Sequence, residues 1–135
     1  MPKRVLIVDD HPELRKLVRL TLQLQDFEIF EADSGRRALE LCHAQSPHLV
    51  ILDVMMPGEL DGYATCAAIK ADPAVSASKV ILLTARAQQT DFDAGRKAGS
   101  DAYLTKPFSP LELIETVSRV LDGGSSPAAL VAAAA

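Results

Sequence analysis

Several apolar stretches of this sequence are followed at once by residues that could perform chemistry. Such residues follow the continuous apolar runs 5–8, 49–52 and 80–83 and the less apolar segment 101–105. In chain order these residues are Asp9 and Asp10, Asp53, Thr84, and Lys106. An ionised carboxylate at the end of a buried segment is costly unless something pairs with it. We therefore ask what these side chains face.

Three carboxylates, one hydroxyl and one ammonium form a set with a defined chemical use. Clustered carboxylates repel one another unless a cation joins them, and oxygen ligands suit Mg²⁺, which usually takes one or two carboxylates plus phosphate oxygens. A lysine and a threonine beside such a metal leave a place for a phosphoryl group. One carboxylate can then act as the nucleophile and form an aspartyl phosphate, while the ammonium neutralises developing charge.

The elements that must position these residues alternate between strands and helices. Strands are predicted at 4–9, 27–31, 48–53, 79–84 and 101–105. Helices are predicted at 12–25, 34–45, 61–71, 89–98 and 109–121. Ser34 and Ser109 are good N-caps, and Gly99 suits a helix stop. Continuous apolar runs are typical of interior parallel strands, whereas the alternation in 27–31 is typical of a half-exposed strand.

Five β–α units with short connections predict an α/β fold. We expect a five-stranded parallel sheet, doubly wound, with five helices and the flavodoxin-like strand order 2-1-3-4-5. Ligands bind such sheets at the carboxyl ends of the strands, so the five polar residues should converge there. The domain is expected to cover residues 1–122. Residues 123–135, a Gly/Ser/Pro linker followed by an alanine-rich tail, are expected to be disordered.

Composition excludes several classes of protein. A chain of 135 residues can hold one domain with one core. The net charge of −4 argues against direct nucleic-acid binding, which needs a basic surface. The two cysteines, Cys42 and Cys66, lack CxxC spacing and are interpreted as reduced, half-buried thiols. No apolar run approaches the length of a membrane span. We expect a soluble, cytoplasmic protein.

The motifs together resemble the receiver domain of two-component response regulators. The matching residues are VDD at 8–10, LDVMMPG at 52–58, TA at 84–85 and YLTKPF at 103–108. They occur in order across residues 3–121, as in single-domain, chemotaxis-type regulators. One departure is visible: PGELDG at 57–62 is one residue longer than the commonest turn of the family, which leaves the contacts of this loop open.

The resemblance implies a role for each site residue. Asp53 would be the phosphoacceptor. Asp10, Asp53 and the backbone carbonyl of Met55 would ligate Mg²⁺ directly, and Asp9 would act mostly through a bound water. Lys106 would pair with the phosphoryl oxygens, and a cis Lys106–Pro107 bond would turn the lysine inward.

A switch is implied as well. Thr84 would hydrogen-bond a phosphoryl oxygen, and its shift would let Tyr103 turn inward, altering the face built from segments 89–98, 101–105 and 109–121. Plain packing at the sheet edge is the alternative interpretation of Tyr103.

The implied partners are proteins. Phosphate would come from the phosphohistidine of a sensor histidine kinase or a phosphotransfer protein, and output would pass to a downstream protein or to an output domain absent from this chain. The switch face could also mediate a dimer. The domain would be no enzyme in the usual sense, although it would catalyse its own phosphorylation and slow dephosphorylation.

Three other functions compete with this interpretation. A flavin- or nucleotide-binding module would want a glycine- or hydroxyl-rich loop after the first strand, where DDHPEL stands. A phosphohydrolase with an aspartate nucleophile commonly has a second aspartate two residues later, where Met55 stands. A receiver-like scaffold that never takes phosphate would not need the complete set of site residues.

Further residues carry narrower hypotheses. His11 could touch an incoming phosphate, but a surface residue at a helix start is the preferred interpretation. In the first helix, Leu14, Val18 and Thr21 should centre the core face, with Leu17 and Leu22 flanking it. Leu20 and Leu24 extend that arc and either dock a kinase or cover the sheet edge. Met55 and Arg86 flank the path of attacking water by resemblance, which predicts slow self-dephosphorylation.

Overall fold

The chain alternates strictly between strands and helices. A computed structural model describes residues 2–23, 25–56, 58, 60–85 and 88–122. The strands are β1 (Lys3–Val8), β2 (Phe27–Ala32), β3 (Leu49–Asp53), β4 (Lys79–Thr84) and β5 (Ala102–Thr105). The helices are α1 (Pro12–Leu22), α2 (Gly35–Gln45), α3 (Gly62–Ala71), α4 (Gln89–Ala98) and α5 (Pro110–Leu121). The predicted linker and tail at 123–135 lie outside the described residues, so that boundary stays a prediction.

The five strands form one parallel sheet in the order β2-β1-β3-β4-β5. The predicted fold class and strand order are therefore confirmed. The three strands with continuous apolar runs occupy the interior of the sheet, because each must be covered on both faces. In the register, Val5 lies beside Leu49, and Asp53 beside Leu83. This register brings the carboxyl ends of β1, β3 and β4 to one edge.

Alternate strand residues build a core on each face of the sheet. One core packs under α2, α3 and α4 and contains Leu6, Val8, Val50, Leu52, Val80, Leu82, Cys42, Cys66 and Ile69. The other packs under α1 and α5 and contains Val5, Ile7, Leu49, Ile51, Ile81, Val18, Leu22, Leu113 and Val117. The sheet is thus doubly wound, with helices covering both faces.

Helix ends follow the predicted signals. The hydroxyl of Ser34 accepts a hydrogen bond from the Arg37 N–H at 3.2 Å, and that of Ser109 accepts one from the Glu112 N–H at 3.1 Å. Gly99 ends α4 with a φ of 88°, a left-handed conformation that glycine adopts without strain. The prediction that α1 runs to residue 25 was wrong: the helix ends at Leu22, and the Gln23 N–H bonds to the Arg19 carbonyl as a cap.

The core face of α1 is narrower than predicted. Val18 and Leu22, one turn apart, are buried, whereas Leu14 and Thr21 are only half-buried. Leu17 was expected to flank this face, but it is 51% exposed. Successive helix residues are rotated by about 100° about the helix axis, so when Val18 faces the core, Leu17 faces solvent.

Both cysteines are free thiols, as predicted, but they are completely rather than half buried. Burial raises the pKa of Cys42 to about 11 and that of Cys66 to about 12. Within the described ranges, every helix is too short or too polar to span a bilayer.

Candidate functional site

The polar strand ends predicted from sequence meet at one edge of the sheet. Lys106 Nζ lies 3.2 Å from Oδ1 of Asp53 and 3.7 Å from Oδ2 of Asp9. Both carboxylate side chains are only 3% exposed. The ammonium group therefore stands between two buried acids that follow different strands, as the convergence of strand ends predicted.

Four potential ligand groups form one compact cluster. Single ligand atoms of Asp9, Asp10, His11 and Asp53 all lie within 4.8 Å of one another. Asp9 Oδ2 and Asp10 Oδ1 are buried atoms with no hydrogen-bond partner among the residues that the structure describes. Buried carboxylate oxygens of this kind call for a cation. Carboxylate oxygens are the ligands that Mg²⁺ prefers, so this donor set fits the ion that the sequence implied.

The turn from β1 to α1 fixes the two adjacent acids. Oδ1 of Asp9 accepts a hydrogen bond from the His11 N–H at 2.8 Å, which closes a local turn of the kind aspartate favours. The backbone carbonyl of Asp9 accepts a hydrogen bond from the Arg15 guanidinium at 2.6 Å, and Arg15 also pairs with Glu31 at 3.2 Å. Sequence reasoning missed Arg15, since its partners lie just after β1 and on β2 rather than on its own helix.

The electrostatic environment of Asp53 disfavours its charge. Burial raises the pKa of this carboxyl, and the neighbouring charge of Asp9 raises it further. The ammonium of Lys106 and the N–H of Met55, 3.4 Å from Oδ1, lower the pKa of Asp53 but do not cancel the rise. An additional cation beside Asp53 would favour the carboxylate form, which is the nucleophilic form.

Thr84 and Lys106 reach this edge through the pairing of β4 with β5. Thr84 ends β4, is fully buried, and lies beside Thr105 in the register. Its carbonyl accepts a hydrogen bond of 2.7 Å from the Lys106 N–H. The Lys106–Pro107 peptide bond is cis, as the resemblance implied.

The side chain of Tyr103 extends from β5 and is half-buried against the helices α3 and α4. Its hydroxyl lies 3.0 Å from that of Tyr63 and also hydrogen-bonds Thr84. The Tyr63 hydroxyl in turn lies 3.2 Å from the Asp91 carbonyl. The Tyr103 ring packs edge-on against Phe92, with 4.8 Å between the ring centroids. Burial and the neighbouring Tyr63 raise the pKa of Tyr103.

Two contacts around Tyr103 were not found from the sequence. Tyr63 sits one residue into α3, and nothing in its spacing pairs it with a residue 40 positions later. Gly95 faces the Tyr103 ring so closely that a Cβ there would lie 2.9 Å from it. Tyr63 and Gly95 therefore contribute to the surroundings of Tyr103, and the switch from Thr84 to Tyr103 stays a prediction.

The loop after β3 is held at both ends although it is longer than the usual turn. The Val54 carbonyl accepts hydrogen bonds from the N–H groups of Met56 and Gly62. A Cβ at Gly62 would lie 2.3 Å from the Asp53 carbonyl oxygen, so α3 begins in direct contact with the end of β3. The side chain of Met55 is 52% exposed. Arg86, predicted to flank the same site, lies outside the described residues, as does Leu24.

Comparison with known proteins agrees with this geometry. Residues 5–118 match the family described as the response regulator receiver domain. The chain is 40% identical over 119 residues to ycf27 of Galdieria sulphuraria, described as a probable transcriptional regulator, and 35% identical over 121 residues to the transcriptional regulatory protein SrrA of Staphylococcus aureus. These matches cover 88% and 90% of this chain but only 45% and 48% of those proteins.

A solved structure shares the whole fold. The chemotaxis protein CheY4 of Vibrio cholerae superposes with a TM-score of 0.83 at 30% sequence identity. That superposition covers 89% of this chain and 99% of CheY4. The chain thus covers almost all of CheY4 and about half the length of the two regulators.

Proposed function

This chain belongs to the response regulator receiver family, and from that premise we propose that it accepts a phosphoryl group on Asp53 from the phosphohistidine of a sensor kinase or a phosphotransfer protein. The single observation that carries the proposal is the position of Lys106: its ammonium lies 3.2 Å from the buried Asp53 carboxylate, beside two buried carboxylate oxygens, Asp9 Oδ2 and Asp10 Oδ1, that lack hydrogen-bond partners among the described residues. Structural ion pairs do not need such oxygens, whereas a phosphoryl-transfer site does.

Each residue of the site has a role in an in-line displacement at phosphorus. One oxygen of the Asp53 carboxylate attacks phosphorus, a P–O bond forms, and the P–N bond to the donor imidazole breaks with its electron pair returning to nitrogen. The Lys106 ammonium neutralises charge on the phosphoryl oxygens during that transfer. The Thr84 hydroxyl, buried at the adjacent strand end, donates to one phosphoryl oxygen once the group is bound.

The acids would hold the metal. Asp10 and Asp53, with the Met55 carbonyl, would be direct ligands of Mg²⁺, and Asp9 would bind through water. When bound, the ion offsets the repulsion between the carboxylate nucleophile and the phosphate anion. Asp9 and Asp53 are almost completely buried, which limits the access of bulk water to the nucleophile.

Phosphorylation would change the partner-binding face of the protein through Tyr103. A shift of Thr84 toward the phosphoryl group would change its hydrogen bond with Tyr103 and so the contacts of that ring with Phe92 and Tyr63. Tyr103 lies on β5 and Phe92 on α4, which are two of the three elements of the α4-β5-α5 face. We propose that this face recruits a downstream protein, a second copy of the chain or an output domain. The matches to ycf27 and SrrA leave about half of those regulators uncovered, which is enough length for an output domain. We also propose that the protein acts in the cytoplasm.

Intact mass after incubation with acetyl phosphate and Mg²⁺ tests the proposal. Wild-type protein should gain one phosphoryl group, and Asp53→Asn should gain none. Asp26→Asn, which removes an exposed carboxylate away from the site, is the matched control and should behave as wild type. An adduct that persists in Asp53→Ala, or that forms fully in EDTA, would refute the assignment.

A further inference from the structure

His11 brings a nitrogen atom into an acidic site that otherwise offers oxygen. It is the residue before the first turn of α1, and its side chain is 69% exposed, as expected for a surface position. Its ring nevertheless turns toward the acids: Nδ1 lies 3.1 Å from Oδ1 of Asp9 and 3.2 Å from Oδ1 of Asp10. Its location at the surface therefore does not keep it out of the cluster.

The separations match those between ligands of one ion. Ligand atoms about 2.1 Å from a metal are about 3.0 Å apart in octahedral geometry and about 3.4 Å apart in tetrahedral geometry. The distances from Nδ1 to the two carboxylate oxygens fall in this interval. One ion could contact the ring nitrogen and both carboxylates without a change in the path of the backbone.

A second observation points independently to a cation. The Asp9 side chain is 3% exposed, yet its Oδ2 has no hydrogen-bond partner in the described part of the chain, and Lys106 Nζ is 3.7 Å away. Asp10 Oδ1 is also a buried atom without a hydrogen bond, although the His11 nitrogen is only 3.2 Å from it. Carboxylate oxygens that are buried and lack hydrogen bonds are poised for a positively charged ligand.

We propose that His11 is a nitrogen ligand that makes this site prefer a transition-metal dication, such as Co²⁺, Ni²⁺ or Zn²⁺, over Mg²⁺. Imidazole suits these ions, whose affinities for nitrogen ligands rise across the first transition row. Mg²⁺ gains little from imidazole and keeps oxygen ligands and water. The inference rests on the proposed function, because the same carboxylates hold either ion.

The transition ion and Mg²⁺ would therefore compete for the acidic site. A transition ion bound through His11, Asp9 and Asp10 would take up Asp10, which is a proposed ligand of Mg²⁺ during phosphoryl transfer, and so would exclude Mg²⁺. The ring is exposed enough to swing away from the acids, so that Mg²⁺ can bind to the oxygens alone. The identity of the bound metal would then depend on the concentrations of both ions in the cell.

Calorimetric titration of the full chain with Co²⁺ and with Mg²⁺ tests this proposal at about pH 8, where an ordinary imidazole is neutral. In His11→Ala the ratio of Co²⁺ to Mg²⁺ affinity should fall on the order of tenfold or more. His11→Asn, which offers an amide oxygen but no imidazole nitrogen, should lose the same preference. The visible absorption of bound Co²⁺ should change in both variants.

His43→Ala is the matched control, since His43 is also exposed and lies 2.9 Å from the Asp72 carboxylate, on a different helix from the site. It should keep the wild-type ratio. An unchanged ratio in both His11 variants, or an equal fall in His43→Ala, would overturn the inference. Either result can occur while Mg²⁺ still supports phosphorylation of Asp53, so failure of this inference is separable from failure of the proposed function. If instead wild type neither binds Mg²⁺ nor forms the adduct, both this inference and the proposed function fail.

Discussion

The hydroxyl groups of Tyr63 and Tyr103 lie 3.0 Å apart and join helix α3 to strand β5. Tyr63 also contacts the Asp91 carbonyl of α4, so one pair of rings connects three elements beside the candidate site. We expect Tyr63→Phe and Tyr103→Phe each to lower the free energy of unfolding by about 0.5–1.5 kcal/mol, the usual value of such a hydrogen bond.

The double variant measures whether the two rings act together. If they do, Tyr63→Phe combined with Tyr103→Phe should cost less than the sum of the two single changes in urea unfolding. Additive losses would show that the two hydroxyl groups stabilise the protein separately, and would weaken the route from the site to α3.

Removing the charge of Asp53 should stabilise the protein in EDTA. Burial and the charge of Asp9 raise the pKa of this carboxyl, so the folded state loses stability as Asp53 ionises. Replacing Asp53 by Asn also removes its pairing with Lys106, but that loss is the smaller effect. Asp53→Asn should gain on the order of 1 kcal/mol, or roughly 2–8 °C in melting temperature.

Magnesium provides the control for this prediction. It should raise the melting temperature of wild type by mass action and raise that of Asp53→Asn less, because one ligand oxygen has been replaced. A variant that melts below wild type in EDTA would contradict the proposed closeness of the three carboxylates.

An exposed leucine on α1 should contribute to docking of the phosphodonor. Leu20 is 53% exposed, and Leu17, three residues earlier on the same helix, is similarly exposed, which argues against the alternative that Leu20 covers the sheet edge. Leu20→Ser should slow phosphotransfer from the cognate kinase or phosphotransfer protein several-fold while sparing phosphorylation by acetyl phosphate, with both rates followed by Phos-tag electrophoresis. Equal losses with both donors would indicate a structural role.

The lifetime of the phosphorylated state should depend on Met55. Its thioether can neither orient nor activate water, and with Arg86 in the second flanking position we expect slow self-dephosphorylation. Replacing Met55 by Asn and Arg86 by Glu should speed loss of phosphate from the purified protein by about tenfold or more. If the double variant loses phosphate no faster than wild type, access of water is not what limits the reaction.

Stability should fall in mild acid partly through His48. The ring Nδ1 accepts a hydrogen bond of 2.9 Å from the Arg4 N–H, which requires the neutral ring. Burial, followed by the charges of Arg4 and Lys3, lowers the pKa of His48. The unfolded chain therefore binds a proton more readily, and the folded state loses stability as pH falls below about 6.5.

His48→Asn keeps an acceptor but cannot titrate, so it isolates this effect. The decrease in free energy of unfolding from about pH 7.5 to about pH 5 should be smaller in the variant than in wild type. Parallel decreases in urea unfolding at the two pH values would rule out a contribution from His48.

The parts of this fold that could be predicted from the sequence are those fixed by local pattern. Residues 5–8, 49–52 and 80–83 are apolar without interruption because their strands are covered on both faces, so the order of the sheet and the meeting of Asp53 with Lys106 followed from chain topology. The cis bond before Pro107 followed from the family resemblance rather than from any physical pattern.

The remaining contacts depend on the directions that individual side chains take, whether their partners are near or far in the sequence. The turn of the His11 ring toward Asp10, the bond from Arg15 to the Asp9 carbonyl and the pairing of Tyr63 with Tyr103 are decided by rotamers and by packing between elements. No periodicity encodes them. The error at Leu17 had a different origin: a helical arc drawn from hydrophobicity alone was wider than the sheet could cover.

Because Cys42 and Cys66 are completely buried, their reaction with a thiol reagent would report local unfolding of the protein. A thiol reagent reacts with the thiolate, and both burial and the raised pKa values suppress that form until the surrounding helices move apart. The Cys66 thiol lies against the Ala98 carbonyl between α3 and α4, whereas Cys42 lies on the buried face of α2. Mass spectrometry of alkylated peptides therefore reads local unfolding on two parts of the same sheet face, without any engineered label.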